Sequence, residues 1–410
     1  MNNKVALNRT LSLPMMVLYG LGTTIGAGIY ALVGEVANLA GYFSPLSFLI
    51  ASLTAGFTAI SFAELCGRFP RAAGAALYVK QGFGSERLST LIGLLVILAG
   101  LVSAAALVNG FVGYLHQFVI IDRVIAIAAI TLLLGGIAIW GIAESVIIAS
   151  LITLLEIGGI LLVIAVSGEE LSSLSTRWPE FVPSADITSW SGIYFGAVLA
   201  FYAFIGFEDM VDVAEEVKDV KRTLPLAIFF TLGITTFIYI LLMVTAVLSL
   251  TPTELANSQA PLALLYEHHT GEKAIAVGII GMFAIINGAL IQIIMASRVL
   301  YGLSSRGQLP ELLSNVYQRT RTPLIATVLA TFIALALALI GRLGSLAQMT
   351  SLIMLTIFSL VNLALWRVKH KDPNPIGVKV FPRWIPITGF FVSLAFVLIE
   401  TTNVLTQAFS

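Results

Sequence analysis

Long apolar runs and short polar connections alternate along this chain from end to end. Runs of about 20 residues, the length a helix needs to cross hydrocarbon, recur at about 12–37, 44–66, 89–116, 123–142, 145–167, 190–213, 225–250, 273–300, 322–341, 343–367 and 384–408. The pattern predicts an all-α integral membrane protein of about eleven spans, with residues 1–410 as a single domain. The segment 67–88 mixes short apolar stretches with glycines and predicts a small interfacial helix over Ala72–Phe83. Segments 168–189 and 251–272 read as modest polar loops, too short for a receptor ectodomain.

Two of the runs are interrupted. The first carries Gly22-Thr-Thr-Ile-Gly26-Ala-Gly28 near its middle. Each glycine weakens a helix by about 1 kcal/mol relative to alanine, and a backbone that leaves the helix inside a bilayer has to line a cavity or be buried in protein. Close packing through the small residues Gly22-x-x-x-Gly26 is the alternative. Span 6 reads Phe201-Tyr-Ala-Phe-Ile-Gly-Phe-Glu-Asp-Met210, with Gly206 followed by Glu208, Asp209 and Asp212. Charge at that depth is costly unless paired, solvated or protonated. Spans 1 and 6 lie five apart, and five is odd. A five-span repeat would therefore be inverted relative to its twin and bring both broken helices to the midplane. The repeats would cover about 12–167 and 190–367, with 384–408 as a peripheral helix.

Composition agrees with the membrane reading: 58% of residues are hydrophobic and 11% charged, against about 25% charged in soluble domains. The 22 basic and 22 acidic residues cancel, but their distribution does not. With the N-terminus inside, only Arg123, Arg177, Lys273 and Arg342 fall outside, leaving 18 cations in the cytoplasm. An odd span count then puts the C-terminus outside. The first run continues for a full span without a cleavage site, so no removable signal is expected. The single Cys66 reads as a packed thiol.

Four motifs resemble the amino acid–polyamine–organocation transporters. Gly22-Thr-Thr-Ile-Gly-Ala-Gly-Ile-Tyr30 looks like their span 1 motif, and Phe62-Ala-Glu-Leu-Cys-Gly-Arg-Phe-Pro-Arg-Ala-Ala-Gly74 like the run that closes span 2. Phe201–Glu208 with Ala214-Glu-Glu-Val-Lys218 resembles the span 6 signature. Ala296-Ser-Arg-Val-Leu-Tyr301 with Arg306-Gly-Gln-Leu-Pro310 resembles the end of span 8. The branch most like it is the bacterial permeases related to cationic amino acid transporters. The resemblance implies a five-plus-five inverted-repeat fold with helices 1 and 6 broken. It places the substrate carboxylate on Thr23, Thr24, Ile25, Gly26, Ala27 and Gly28, and the ammonium on carbonyls around Tyr202, Ala203, Phe204 and Ile205. Helix termini have the matching chemistry, with N–H groups facing an anion and carbonyls a cation. The family usually has twelve spans, so a peripheral helix is expected to be missing. Relatives carry a Lys in span 5, where this chain has Glu156.

Glu156 is either a proton carrier or a packed acid. Glu208 is either a gating or proton-sensitive acid, or a charge settled at a half-helix start. Tyr202 is an aromatic gate or a packing residue. Asp209 and Asp212 read as solvated, as do Glu35 and Glu400. Glu64 is expected to pair with Arg68 or the next loop. Asn109, Asn287 and Gln292 read first as helix–helix hydrogen-bonding residues. Asn287–Met295 offers no Ser or Thr hydroxyl, which weighs against a sodium site between spans 1 and 8. The four histidines form no metal-spaced cluster.

The combined expectation is a secondary active transporter of amino acids in a prokaryotic inner membrane. It would work with protons by alternating access, spans 1, 2, 6 and 7 rocking against 3, 4, 8 and 9. Its partners would be the amino-acid substrate, protons and lipid, with no nucleic acid, cofactor or metal. Rivals are an exchanger of amino acid against amine, and a channel or non-transporting sensor. An intramembrane enzyme lacks a paired nucleophile and base.

Overall fold

Helices occupy every predicted apolar run. The computed structural model describes residues 10–70, 74–140, 146–317, 319–320 and 322–409, without the side chains of residues 27, 146–150, 212, 215 and 403–409. Spans 1 to 5 are Leu13–Ala40, Ser44–Arg68, Glu86–Leu115, Arg123–Trp140 and Val146–Val166. Span 6 starts as Ile187–Phe201 and continues in tighter turns, Tyr202–Phe204 and Phe207–Glu216. Spans 7 to 11 are Val220–Ser249, Ile275–Ser305, Leu324–Ile340, Leu343–Lys371 and Trp384–Phe409. By length and composition alone, 8 described helices are long and apolar enough to cross a membrane, and a bent pair after Leu151 makes 9. Leu13–Gly26 and Leu324–Ile340 are shorter apolar helices.

The packing pairs the first four spans with their counterparts five later: 1 with 6, 2 with 7, 3 with 8 and 4 with 9. Two repeats related by an axis in the membrane plane meet in this way. Spans 1, 2, 6 and 7 pack on one another, as do 3, 4, 8 and 9, and span 11 lies on spans 10 and 2. Small side chains let the inner helices approach, with Ala51, Ala55 and Ala59 of span 2 and Ala104, Ala105 and Ala106 of span 3 fully or almost fully buried. Large apolar side chains such as Phe237, Phe332 and Phe391 point outward. That arrangement suits a lipid surround, where apolar groups need no burial.

The expected interfacial helix is present, and two other expectations need correction. The interfacial helix is Gly74–Phe83, its predicted start at Ala72 lying outside the described residues. Segment 251–272 folds into the short helices Pro252–Asn257 and Pro261–Thr270, which pack on span 1 and bury Leu255, Leu262 and Leu265. Thr251 and Glu254 form a capping box that starts the first. Glu400, read as solvated, is buried and takes a hydrogen bond from Gln348 of span 10.

Candidate functional site: two broken helices around one cavity

Span 1 leaves helical dihedrals at one described residue, Gly26 (φ −38°, ψ −123°), rather than over a longer unwound stretch. In span 6 the helix gives way at Ile205, which is extended, and at Gly206, whose φ of 126° favours glycine. The two breaks touch. A Cβ on Gly206 would stand 2.2 Å from the Thr23 carbonyl oxygen, and one on Gly28 would stand 2.9 Å from Ala203 Cα. The Thr23 hydroxyl lies 3.0 Å from both the Gly206 and Gly20 carbonyls, to which it donates.

Carbonyls freed by such breaks need donors when buried. Tyr239 of span 7 supplies one: its hydroxyl lies 3.0 Å from the Thr24 carbonyl and 3.0 Å from that of Ala203, donating across both breaks at once. The free N–H of Gly206 is met by Glu208, whose Oε2 accepts at 2.9 Å. Tyr30 donates to the Glu156 backbone carbonyl at 2.6 Å, and Tyr114 donates to the Tyr30 carbonyl at 2.9 Å, so spans 3, 1 and 5 are tied in series. Tyr202 and Ser103 share a hydroxyl–hydroxyl bond of 2.8 Å between spans 6 and 3.

A cavity of about 50 Å³ opens between the breaks and spans 3, 5 and 8. Thr23, Thr24, Gly26, Gly28, Tyr202, Ile205 and Glu156 line it. Ile25, Ala203 and Phe204 are buried behind the wall, the Phe204 ring meeting that of Phe48 at a tilt and that of Tyr239 edge-on. Glu208 sits at the break rather than in the wall, and the side chain of Ala27 lies outside the described residues. Among the described residues, buried Thr24 Oγ1 has no hydrogen-bond partner. The Glu156 carboxylate faces the span 1 kink, with Oε2 3.8 Å from where a Cβ on Gly26 would lie.

Sequence reasoning missed part of the wall. Asp209, read as solvated, lines the cavity, as do Ser103, Asn287 and Gln292. Of the three amides read as helix–helix hydrogen-bonding residues, Asn109 donates to the Ala338 carbonyl of span 9 at 3.0 Å and accepts from Arg123. The other two face the cavity instead. Leu107, Ala284 and Ile291 add apolar surface. The chamber sets backbone and polar groups at one end against aliphatic surface at the other, the kind of lining that orients a small polar solute. Among the described residues, no three His, Cys, Asp or Glu side chains come together as metal ligands would.

Broken first and sixth helices, counterpart spans packed in pairs and a polar chamber at their crossing define a membrane protein of the inverted-repeat fold class. Solved structures carry the same fold. A Na+-coupled sialic acid symporter in a substrate-bound outward-open state aligns with TM-score 0.64 and 14% identity, over 96% of this chain and 90% of that one. MhsT in complex with L-phenylalanine aligns with TM-score 0.65 and 15% identity, over 96% and 98%. The family profile "Amino acid permease" matches residues 10–409, and the chain belongs to that family. Relatives include cationic amino acid transporter 2, vacuolar, of Arabidopsis thaliana, 29% identical over 90% of this chain and 61% of that protein. Another is the branched-chain amino acid permease BcaP of Bacillus subtilis, 27% identical over 90% and 83%. A third is the methylthioribose transporter of the same organism, 28% identical over 90% and 83%. The chain thus spans about three fifths of the length of the Arabidopsis relative.

Proposed function

We propose that this protein is a secondary transporter that carries an amino acid across a membrane by alternating access. One observation carries the reading: both broken helices open onto the same cavity, with buried Thr24 Oγ1 lacking a partner beside it. The substrate carboxylate rests against the span 1 kink at Thr23–Gly28, and its ammonium faces the span 6 turn at Tyr202–Ile205. Glu208 holds the span 6 break open through the Gly206 N–H, and this ties gating to its carboxylate. Transport is proton-coupled, with Glu156 as the carrier, because its carboxyl lines the same cavity and faces the kink. The protein sits in a cell membrane with its N-terminus in the cytoplasm, as the positive-inside rule requires of the basic end.

The test is uptake of labelled amino acids into proteoliposomes, with and without an inside-alkaline pH gradient. Saturable accumulation that a protonophore abolishes is the expected result. Flux that never saturates would replace the transporter with a channel, and no uptake or exchange of any amino acid would end the substrate assignment.

A further inference from the structure

A second cavity, of about 290 Å³, lies at the opposite end of the protein's chemistry, where apolar spans stop and charged segments begin. Its wall combines the end of span 2 at Arg68, the end of span 10 at Lys371, the start of span 7 at Lys221 and the loop Asp372–Val378. Three cations, Arg68, Lys221 and Lys371, face one acid, Asp372. Arg68 is committed to Glu64, its Nη2 2.7 Å from Oε1. Lys221 and Lys371 are not committed to any carboxylate among the described residues. Lys221 donates to the Ile376 carbonyl at 3.2 Å and Lys371 to that of Gly82 at 3.2 Å. Two ammonium groups held in place by neutral carbonyls, over one hollow, make no ion pair with a carboxylate among the described residues. Span 11 begins at the same end with the exposed Trp384, the amphipathic side chain that marks a membrane–water interface.

We infer that this cavity binds a phosphate-bearing anion, with a phospholipid head group and free inorganic phosphate as two sources of that chemistry. A basic hollow between the ends of apolar spans, close to an exposed interfacial tryptophan, has the charge and the setting of a head-group site. Lysine offers a point charge that phosphate oxygens accept from any direction.

The experiment measures thermal unfolding of the full chain in neutral detergent at fixed ionic strength. Probes are short-chain phosphatidylglycerol, short-chain phosphatidylcholine and inorganic phosphate. A ligand bound only by the folded state raises Tm in a saturable way. Phosphatidylglycerol should raise Tm while phosphatidylcholine does not, and the rise should fall at least twofold in Lys221→Gln and in Lys371→Gln. Lys221→Arg should keep it. So should Lys379→Gln, which removes a cation of the same loop whose ammonium lies over the Phe381 ring. A rise with inorganic phosphate as large as with phosphatidylglycerol identifies the free anion as the source, and a rise with the lipid alone identifies the head group. The inference is overturned if neither probe shifts the wild type, or if both glutamine variants shift as much as it does.

Discussion

At the residue scale, the site depends on a few atoms that hold two interrupted helices together. Gly206 has no room for a side chain, since a Cβ would press on the Thr23 carbonyl, and its φ is one that L-residues adopt at a cost of about 1–3 kcal/mol. Gly206→Ala should therefore lower Tm in detergent and abolish substrate-induced stabilisation. Gly28→Leu should leave folded protein in the membrane yet remove binding, because the added bulk meets Ala203 and Tyr202; retained affinity there would remove the span 1 kink from the binding site. Tyr239→Phe tests a different term. Deleting one hydroxyl leaves two buried carbonyls short of a donor, a loss of about 1–3 kcal/mol. The folded protein should survive with lower Tm and weaker substrate binding, and unchanged values of both would make the tyrosine a spectator.

The same residues show what a sequence can and cannot display. Gly206 was legible because a glycine followed by Glu208 and Asp209 contradicts an apolar span locally. Glu156 stood out as a carboxyl in a run of leucine and isoleucine. Tyr239 carried no such mark, since Thr235-Thr-Phe-Ile-Tyr239 is ordinary span sequence. Its role comes from carbonyls 215 and 36 residues away, a proximity that only the packed structure creates. Asn287 and Gln292 failed for a related reason: one amide serves equally well in a helix seam or a cavity wall, and the composition of span 8 does not say which way each points.

At the scale of elements, a buried ion-pair network joins spans 2 and 10. Glu64 is fully buried; it accepts from Arg68 through Oε1 and from Lys369 Nζ at 2.5 Å through Oε2, which also takes the Phe381 N–H at 2.9 Å. The local pair with Arg68 followed from the i, i+4 spacing, but Lys369 lies 305 residues away and was invisible. Removing one partner of a buried pair costs about 3–5 kcal/mol by stranding the other charge. Glu64→Gln, which leaves both Lys369 and Arg68 without their shared carboxylate, should thus lower Tm sharply, and Lys369→Met with Glu64→Gln should recover part of the loss. No recovery in the double variant would mean that packing rather than charge dominates there. The start of span 6 supplies a pH signature. Asp186 takes hydrogen bonds from the Ser184 hydroxyl, the Ser189 N–H and the Ser189 hydroxyl, which hold its carboxyl down to about 2. A depressed value stabilises the folded state above the unfolded value of about 3.9 and loses that effect as pH falls toward the folded one. The Tm gap between wild type and Asp186→Ala should be full at pH 5 and close on acidification; a gap that widens instead would contradict the cap.

For the whole molecule, the proposed function asks how a rocking motion would be linked to a proton. Spans 1, 2, 6 and 7 form one packed group and spans 3, 4, 8 and 9 another, and the cavity lies at their seam with span 5 beside it. Tyr202–Ser103 crosses the seam directly, so in the proposed mechanism its bond would break or reform as the groups move. Span 5 is joined to span 1 by Tyr30 through the backbone of Glu156, while the carboxylate of the same residue looks at the kink. The resemblance implies a lysine in span 5 of the relatives, a fixed cation. A carboxyl cannot supply that charge, but it can change its own between two states that differ in access to water. Each tenfold preference for the protonated form in one state is worth about 1.4 kcal/mol of bias toward that state. Glu156→Gln freezes the neutral form while preserving shape and hydrogen-bonding capacity. It should bind substrate with affinity close to wild type and exchange it across proteoliposomes, yet fail to concentrate it when only a pH gradient drives uptake. Counterflow and gradient-driven uptake on the same preparation separate these steps. Accumulation at the wild-type level in Glu156→Gln would make this residue a packed acid and move proton coupling to another cavity carboxyl, Asp209 being the one the wall provides.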